Sequence, residues 1–555
     1  MGFALWMWLA CGPAEEPGEE VPPSDADTAF VSPTGDTATG TTDTDTGETA
    51  TTPPVGRIAF VEVPLLEPAP NPSTPLGFVA TIETDWPGIV ELELASPDHT
   101  WLRELPVDGT LQSWPVVGVL PDTTYTATFR ARDAYGDGAS FTTTVATPPL
   151  PEGFPSFEVL HAEPSRMEPG LTLVAPAAPA NQGAAYVCVV DEQGRVLWFH
   201  TVSRYAAEAH FDEDGDLVYL DTRRQLEVVD LLGNVGTTIW PMASRFAPAG
   251  AIGPEVPAFH HDMHPLPGGE LLGLSIEMRV VDGMPTSDTD PDAPTVTSQV
   301  AGDVILRLDR SGNVLHRIDV LDLLDPQRIG YDSLTSTYWH YLFGPGTLDW
   351  SHTNNVIYRE DVDQYVFSVR NQDAVVAVGG ASGEVEWMLA PQAHWGPEHL
   401  ALLLEPVGAD FRHSYHPHGP EWTPDDTLLL FDNGTHGASA FEPPLPPEEL
   451  QSRAVELAID PVAGTVEQVW SYEPGLYALA MGDADHLPST RNVLAVFGTL
   501  DDPEVSARIH EVTRTTPPEL VFELVVHTAD GVAVEVRESD RIPDLYPPGG
   551  PQPLD

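Results

Sequence analysis

From about residue 155 onward the chain repeats itself, and that repetition constrains its fold more than any other feature. One half of each unit is a turn followed by a strand: Asp214-Gly-Asp-Leu-Val-Tyr-Leu220, Pro267-Gly-Gly-Glu-Leu-Leu-Gly-Leu274, Asp363-Gln-Tyr-Val-Phe-Ser-Val369, Asp425-Asp-Thr-Leu-Leu-Leu-Phe431 and Thr490-Arg-Asn-Val-Leu-Ala-Val496. The other half is a glycine turn leading into a Val-x-Trp-like strand, as in Gly194 to Trp198, Gly233 to Trp240, Gly312 to Leu315, Gly383 to Trp387 and Gly464 to Trp470. Glycine turns between β-branched runs are hairpin chemistry, because the turn needs a backbone conformation that glycine adopts freely. The units begin near residues 171, 207, 260, 351, 416 and 481. Six four-stranded units that close on themselves make a six-bladed β-propeller, spanning 155–555. Helical periodicity is scarce; a short helix at Val320-Leu-Asp-Leu-Leu-Asp325 is the exception.

The chain holds 19 histidines, and several stand just before the first strand of a unit: His210, His260, His261, His264, His352, His413, His416, His418 and His486. In a propeller the start of each blade lines the central channel. Equivalent positions of distant repeats therefore converge on one axis. A single histidine so placed is more often a satisfied structural group than a catalytic one; several at equivalent positions favour a functional pocket.

Their contexts are specific. The third unit opens Phe259-His-His-Asp-Met-His-Pro-Leu-Pro-Gly-Gly269, the fourth Asp349-Trp-Ser-His-Thr-Asn354, and the fifth His416-Pro-His-Gly419, with Phe431-Asp-Asn-Gly434 ending the next strand. Here the sequence resembles the bacterial PAPS-independent aryl sulfotransferases, over roughly residues 57–548. The resemblance implies an N-terminal sandwich joined to a six-bladed propeller. Asp349-Trp-x-His352-x-Asn354 is similar to a family motif, and Arg370 falls at the family's arginine spacing. His418, thirteen residues before Phe431, matches the nucleophilic histidine. The glutamine usual before that histidine is Pro417 here, so His416 is the alternative in this register. His261 takes the place of the first active-site histidine, with His260 its alternative. Thr499 is similar in place to a threonine near the site. Asp303 to Val314 and Leu323 to Arg328 also look like family text and are expected to carry structure only. The tail Arg541 to Tyr546 resembles the segment that completes the last blade.

What the resemblance implies is chemically coherent. Sulfuryl transfer between aryl oxygens parallels phosphoryl transfer: charge lies on equatorial oxygens, and positioned positive charge does most of the work. A histidine that attacks sulfur splits one transfer into two steps. His418 is the expected nucleophile. Arg370 supplies a forked cation for sulfate oxygens, Asn354 neutral donors, and His261 and His352 hydrogen bonds and proton transfer. His260, His416 and Thr499 are expected to contact substrate. The implied partners are an aryl sulfate and a phenol, exchanged by ping-pong kinetics with no cofactor and no metal. Two readings compete. Clustered histidines with Asp262 suit a metal-dependent hydrolase or lyase, although Arg370 at the centre argues against a cation. A non-catalytic binding propeller would keep its histidines as satisfied channel groups. Trp339, His340 and Tyr341, in a long insertion before Asp349, are candidates for an aromatic wall over the channel.

Upstream of the repeats, residues 55–150 read as a small immunoglobulin- or fibronectin-like β-sandwich. Alternating runs recur at Arg57 to Val61, Gly77 to Ile82, Ile89 to Leu94 and Tyr125 to Ala131, and Leu120-Pro-Asp-Thr-Thr-Tyr125 resembles a tyrosine-corner approach. Residues 12–54 are Thr, Pro, Gly and acid, with ten acidic residues and no basic one, a composition that cannot offset its chain entropy. Ahead of them, Phe3 to Ala10 is too short to span a bilayer. It reads as the end of a signal peptide in residues 1–11, and Leu9-Ala10-Cys11-Gly12 resembles a lipobox with Cys11 the lipidated residue. Export to the periplasm or cell surface follows, with the membrane reached only through that anchor. Cys188, in an apolar run, is expected in the core. With 85 acidic against 24 basic residues, all of the latter arginine, the net charge of −61 excludes nucleic acid as a partner. Homo-oligomerisation is compatible with all of this.

Overall fold

A computed structural model describes residues 58–177, 185–202, 207–221, 224–502, 504–527 and 534–554. Cys11, the leader and the acidic linker lie outside the described residues. The regular structure of the described residues is nearly all strand; the helices are single turns, one at Val320–Leu323 where the sequence suggests it, others at His340–Phe343 and Pro397–Leu400. No helix among them is long and apolar enough to cross a membrane.

The N-terminal module pairs two sheets. One orders Leu65–Pro68, Phe78–Ile82 and Gln112–Val116; the other orders Thr100–Val107, Gly88–Ala95, Thr124–Asp133 and Gly136–Ala146. Strand alternation decides which side is buried: Tyr125, Ala127, Phe129 and Ala131 face inward and their neighbours outward. The Leu120 amide donates to the Tyr125 hydroxyl at 2.9 Å, which fixes the entry to that strand.

The remaining sheets are the six blades of the propeller. Their first strands, Ala207–Phe211, Phe259–Pro265, Thr353–Arg359, Pro417–Trp422 and Asp483–His486, run along the axis, each against the next. The Trp side chains of the repeat signature, Trp198, Trp387 and Trp470, are buried between sheets, as is Cys188.

The tail does not complete the last blade. Ser539–Ile542 pairs with Leu171–Val174 and becomes the innermost strand of the first blade. The physical reason is the phase of the repeat: the unit that begins near residue 171 starts with its second strand, so it lacks an inner one. The last blade is extended at its other edge, where Phe157–Ala162 adds to Leu520–His527. Just beyond the closing strand, the Tyr546 hydroxyl accepts from the Val117 amide at 2.8 Å and so fastens the propeller to the N-terminal module.

One irregularity recurs and matters for function. The inner strands of the second to fifth blades each slip register near their start: between Ala207 and Ala209, His260 and Met263, Thr353 and Val356, and His418 and Glu421. A bulge re-aims the side chains it contains. The residues in or beside these bulges are Glu208, His261 with Asp262, Asn354 with Asn355, and His418 with Gly419. With the exception of Asp262 they all line one cavity on the axis.

Candidate active site

That cavity is also walled by Asp483 and Arg537. His418 enters it from the fifth blade and is buried. Its Nδ1 lies 3.2 Å from the His416 carbonyl oxygen, which can only accept, so Nδ1 carries the proton and donates. Nε2 is then the ring's lone-pair nitrogen. Burial, followed by the positive charge of Arg370, holds His418 well below the ordinary histidine range. The ring is therefore neutral at neutral pH.

Arg370 begins a tight turn after Gln364–Val369 and is buried. It donates to Asn371 Oδ1 at 2.8 Å and to Asp332 Oδ2 at 3.4 Å, while its Nε is buried without a hydrogen-bond partner. Asp332 also has His416 Nε2 at 3.3 Å and His436 Nε2 at 3.4 Å. Burial alone would raise the Asp332 carboxyl, but His416, His436 and Arg370 together hold it well below the usual range. His416 lies against two carboxylates, Asp332 and Asp373, the latter 3.2 Å from Nδ1. Burial and Arg370 depress this imidazole, yet the two acids outweigh them and raise it. The surroundings thus favour the charged form of His416, a supporting group, and the neutral form of His418.

His352 and His261 form the facing pair, with ring centroids 4.8 Å apart. Both sit in left-handed backbone, at φ 49° and 51°, a conformation that holds a non-glycine residue only under strong local constraint. His352 donates from Nδ1 to Asp349 Oδ2 at 2.6 Å, and the same oxygen accepts from Ser336 at 2.6 Å. The His260 Nε2–H donates to the Ser275 carbonyl at 2.7 Å, and in the neutral form of His260 its Nδ1 accepts from His261 Nδ1 at 2.9 Å. That leaves Nε2 as the acceptor nitrogen of His261. Burial first, then His352 and His260, keep His261 well below the ordinary range. His260 itself is fully buried and supports His261 from behind.

Asn354 lines the cavity, but much of its amide is engaged. It donates to the Pro417 carbonyl at 3.2 Å and accepts from Ser368, which ties the fourth blade to the strand that carries His418. Thr499 follows Val493–Phe497 in the sixth blade; its hydroxyl is buried without a hydrogen-bond partner, and it is not among the cavity-lining residues. In the insertion, Tyr338 is the aromatic residue that meets the site, its ring 5.0 Å from both His261 and His352, with its hydroxyl accepting from Arg224. Trp339 packs beneath on His260, and Tyr341 lies outside, stacked on Phe246. Asp432 and Asn433 shape a turn: Asp432 accepts from the Tyr415 amide and Arg453, and Asn433 donates to the carbonyls of Ala478 and Met481.

Asp332, Asp373, His436 and Tyr338 escaped sequence reasoning. Asp349 was visible as the first residue of its motif, three places before the histidine it orients.

A family model for arylsulfotransferase (ASST) matches residues 156–534. The chain belongs to the arylsulfotransferase family. Its relatives include the arylsulfate sulfotransferase AssT of Escherichia coli O6:H1 strain CFT073, 31% identical over 210 residues, which are 31% of this chain and 34% of that protein. AssT of Lelliottia amnigena is 30% identical over 212 residues, again 31% and 34% of the two chains. The matched stretch thus spans about a third of these curated relatives. Among solved structures, the periplasmic gluconolactonase PpgL of Pseudomonas aeruginosa is similar at 11% identity and a TM-score of 0.33, covering 81% of this chain and 99% of that one. The β-propeller domain of Cps50 (Swd1) from Myceliophteria thermophila is similar at 10% identity and a TM-score of 0.32, covering 66% and 89%. Within the arylsulfotransferase region fall all six blades' first strands except the one supplied by Ser539–Ile542.

Proposed function

We propose that this protein moves a sulfuryl group from an aryl sulfate to a phenolic acceptor through a sulfohistidine at His418, without PAPS. The observation that carries this reading is the state of His418: buried, neutral, its Nδ1–H committed to the His416 carbonyl, its Nε2 lone pair left for attack beside a partly unsatisfied arginine.

In the first step Nε2 of His418 bonds to sulfur as the sulfur–oxygen bond to the aryl group breaks. The electron pair leaves on the phenolate, which takes the Nε2 proton of His352 in the charged form that Asp349 stabilises. Arg370, with unused donors, stabilises the charge on the equatorial oxygens. In the second step the incoming phenol returns a proton to Nε2 of His352, with His261 packed against that ring. Its oxygen bonds to sulfur as the nitrogen–sulfur bond breaks, and His418 is restored. Asp349 holds the His352 ring in one tautomer and stabilises its charged form, the role a buried carboxylate plays behind a catalytic imidazole. Tyr338 offers a flat wall beside both rings for the aryl group. Export by the N-terminal segment, with lipidation at Cys11, completes the proposal and would place the reaction outside the cytoplasm.

The test uses the full chain, a chromogenic aryl sulfate and phenol, with His418→Ala in parallel. Donor cleavage that depends on acceptor, follows ping-pong kinetics and vanishes in the variant is expected. A folded protein that cleaves no member of an aryl sulfate panel, or a His418→Ala variant that still transfers, would overturn the reading.

A further inference from the structure

Beside the cavity, reaching it through Glu208 and Glu538, lies a second polar cluster that the transfer chemistry does not use. It belongs to the first three blades, whereas His418, Arg370 and His352 belong to the fourth and fifth. The bulge of the second inner strand delivers Glu208, His210 follows two residues on, and the bulge of the third inner strand delivers Asp262. One ligand atom from each of these three side chains lies within 4.8 Å of the other two. Bonds of about 2.0–2.2 Å to nitrogen and oxygen set two ligand atoms at most about 4.4 Å apart, so small side-chain shifts let a single ion hold all three.

Several observations point to a ligand there. Glu208 is only 7% exposed, and its Oε2 is buried with no hydrogen-bond partner. His210 Nε2 is buried in the same condition: its 3.2 Å approach to Glu538 Oε1 lacks hydrogen-bond geometry. Two carboxylates that face each other, as Glu208 and Asp262 do, need a proton or a cation between them. Asp262 is already fixed: it accepts from the Val356 amide at 2.8 Å and from His264 at 2.7 Å, contacts that orient a metal ligand from outside its first shell. Glu538 adds a further carboxylate beside His210 and is itself held by the Ala209 amide at 3.1 Å. Arg537, also on the cavity wall, lies 3.8 Å from Glu535.

We propose that Glu208, His210 and Asp262, with Glu538 beside them, bind one divalent first-row metal ion of the Mn²⁺ or Zn²⁺ kind. An imidazole among carboxylates selects such an ion over Ca²⁺ or Mg²⁺, which take oxygen ligands throughout. The ion joins the inner strands of the second and third blades to the segment that leads into the closing strand of the first. It is a clamp on the ring, and no step of sulfuryl transfer passes through it.

The test takes the full chain, strips it with EDTA, and titrates it with MnCl₂ and separately with ZnCl₂, reading stoichiometry by elemental analysis and affinity by calorimetry. One equivalent per chain is expected with at least one of the two ions, together with a rise in melting temperature. Glu208→Gln and His210→Ala should each weaken binding by roughly tenfold or more and abolish that rise. Asp332→Asn is the control, since Asp332, His416 and His436 form another trio within 4.8 Å; it should leave the stoichiometry at one. Less than a tenth of an equivalent on the wild type with either ion, binding that survives both variants, or loss with Asp332→Asn instead would each overturn the proposal. Should the variants fail to fold, spectroscopy of the loaded wild type decides. For Mn²⁺, nitrogen modulation in the electron spin echo is expected, and all-oxygen ligation overturns the assignment; for Zn²⁺, X-ray absorption reads the same difference.

Discussion

His418 can attack only while its ring is uncharged, and its surroundings decide when that is. Burial and Arg370 push it well below 6.5, so it should stay neutral through the range where an ordinary histidine titrates. The acid limb of kcat/KM for donor cleavage is therefore expected well below pH 6.5. A limb centred at 6.5 that runs to zero would contradict this state of His418. The same shift has a cost for stability. An unfolded chain protonates this histidine below 6.5 while the folded one resists, so its contribution to stability falls as pH drops through that value. His352 depends on Asp349 for its orientation. Asp349→Asn keeps the size of the side chain and loses the charge, and should lower kcat by roughly 10²- to 10⁴-fold with little change in KM; steady-state kinetics reads the split. At this scale the sequence was informative where a motif carried the residue, as with His352 and Asp349, and silent where the partner was remote. Nothing in Thr353-Asn354 announces a hydrogen bond to Pro417, 63 residues on. Asp332 lies in an insertion with no counterpart in the other repeats, so no periodicity pointed to it. The aromatic wall expected from Trp339, His340 and Tyr341 meets the site at Tyr338 instead, because a loop and a single helical turn give no alternation to tell an inward ring from its neighbour.

Among the elements, the bulges carry more information than the strands. The strand pattern was legible because glycine turns and β-branched runs are local signals. The register slips were not, since a bulge depends on what the partner strand opposes. Yet the slips are what aim Glu208, His261 and Asn354 along one axis. The closing strand offers a sharper case. Gly170 precedes Leu171–Val174 at φ 128°, and a Cβ there would stand 2.3 Å from the Ile542 carbonyl oxygen. Gly170→Ala should cost more than about 1 kcal/mol, through strain and through the displaced strand, and calorimetric melting reads it. Arg541, on the closing strand, pairs with Glu511 at 3.2 Å with both side chains buried, and also donates to Thr172. Arg541→Ala leaves that carboxylate uncompensated and should cost about 3–5 kcal/mol, measurable as a shift in the urea midpoint.

For the whole molecule, the repeat count was readable and the closure was not. Six units could be counted from turns alone, but which blade receives the tail depends on where the first unit begins its cycle of strands. Since Ser539–Ile542 is the inner strand of the first blade and Tyr546 holds the N-terminal module, both lie at one joint. A chain that stops at residue 538 should lose its cooperative thermal transition, although it keeps most of the apolar residues; circular dichroism on heating tests this. The same joint sets a schedule. A ribosome makes this polypeptide from one end to the other, so five complete blades and an incomplete first one precede the seam in the order of synthesis. Until then the first blade presents a bare edge to every other nascent protein nearby. The growing chain must stay unaggregated with its ring ajar until Ser539–Ile542 is made, and dense negative charge favours that by self-repulsion.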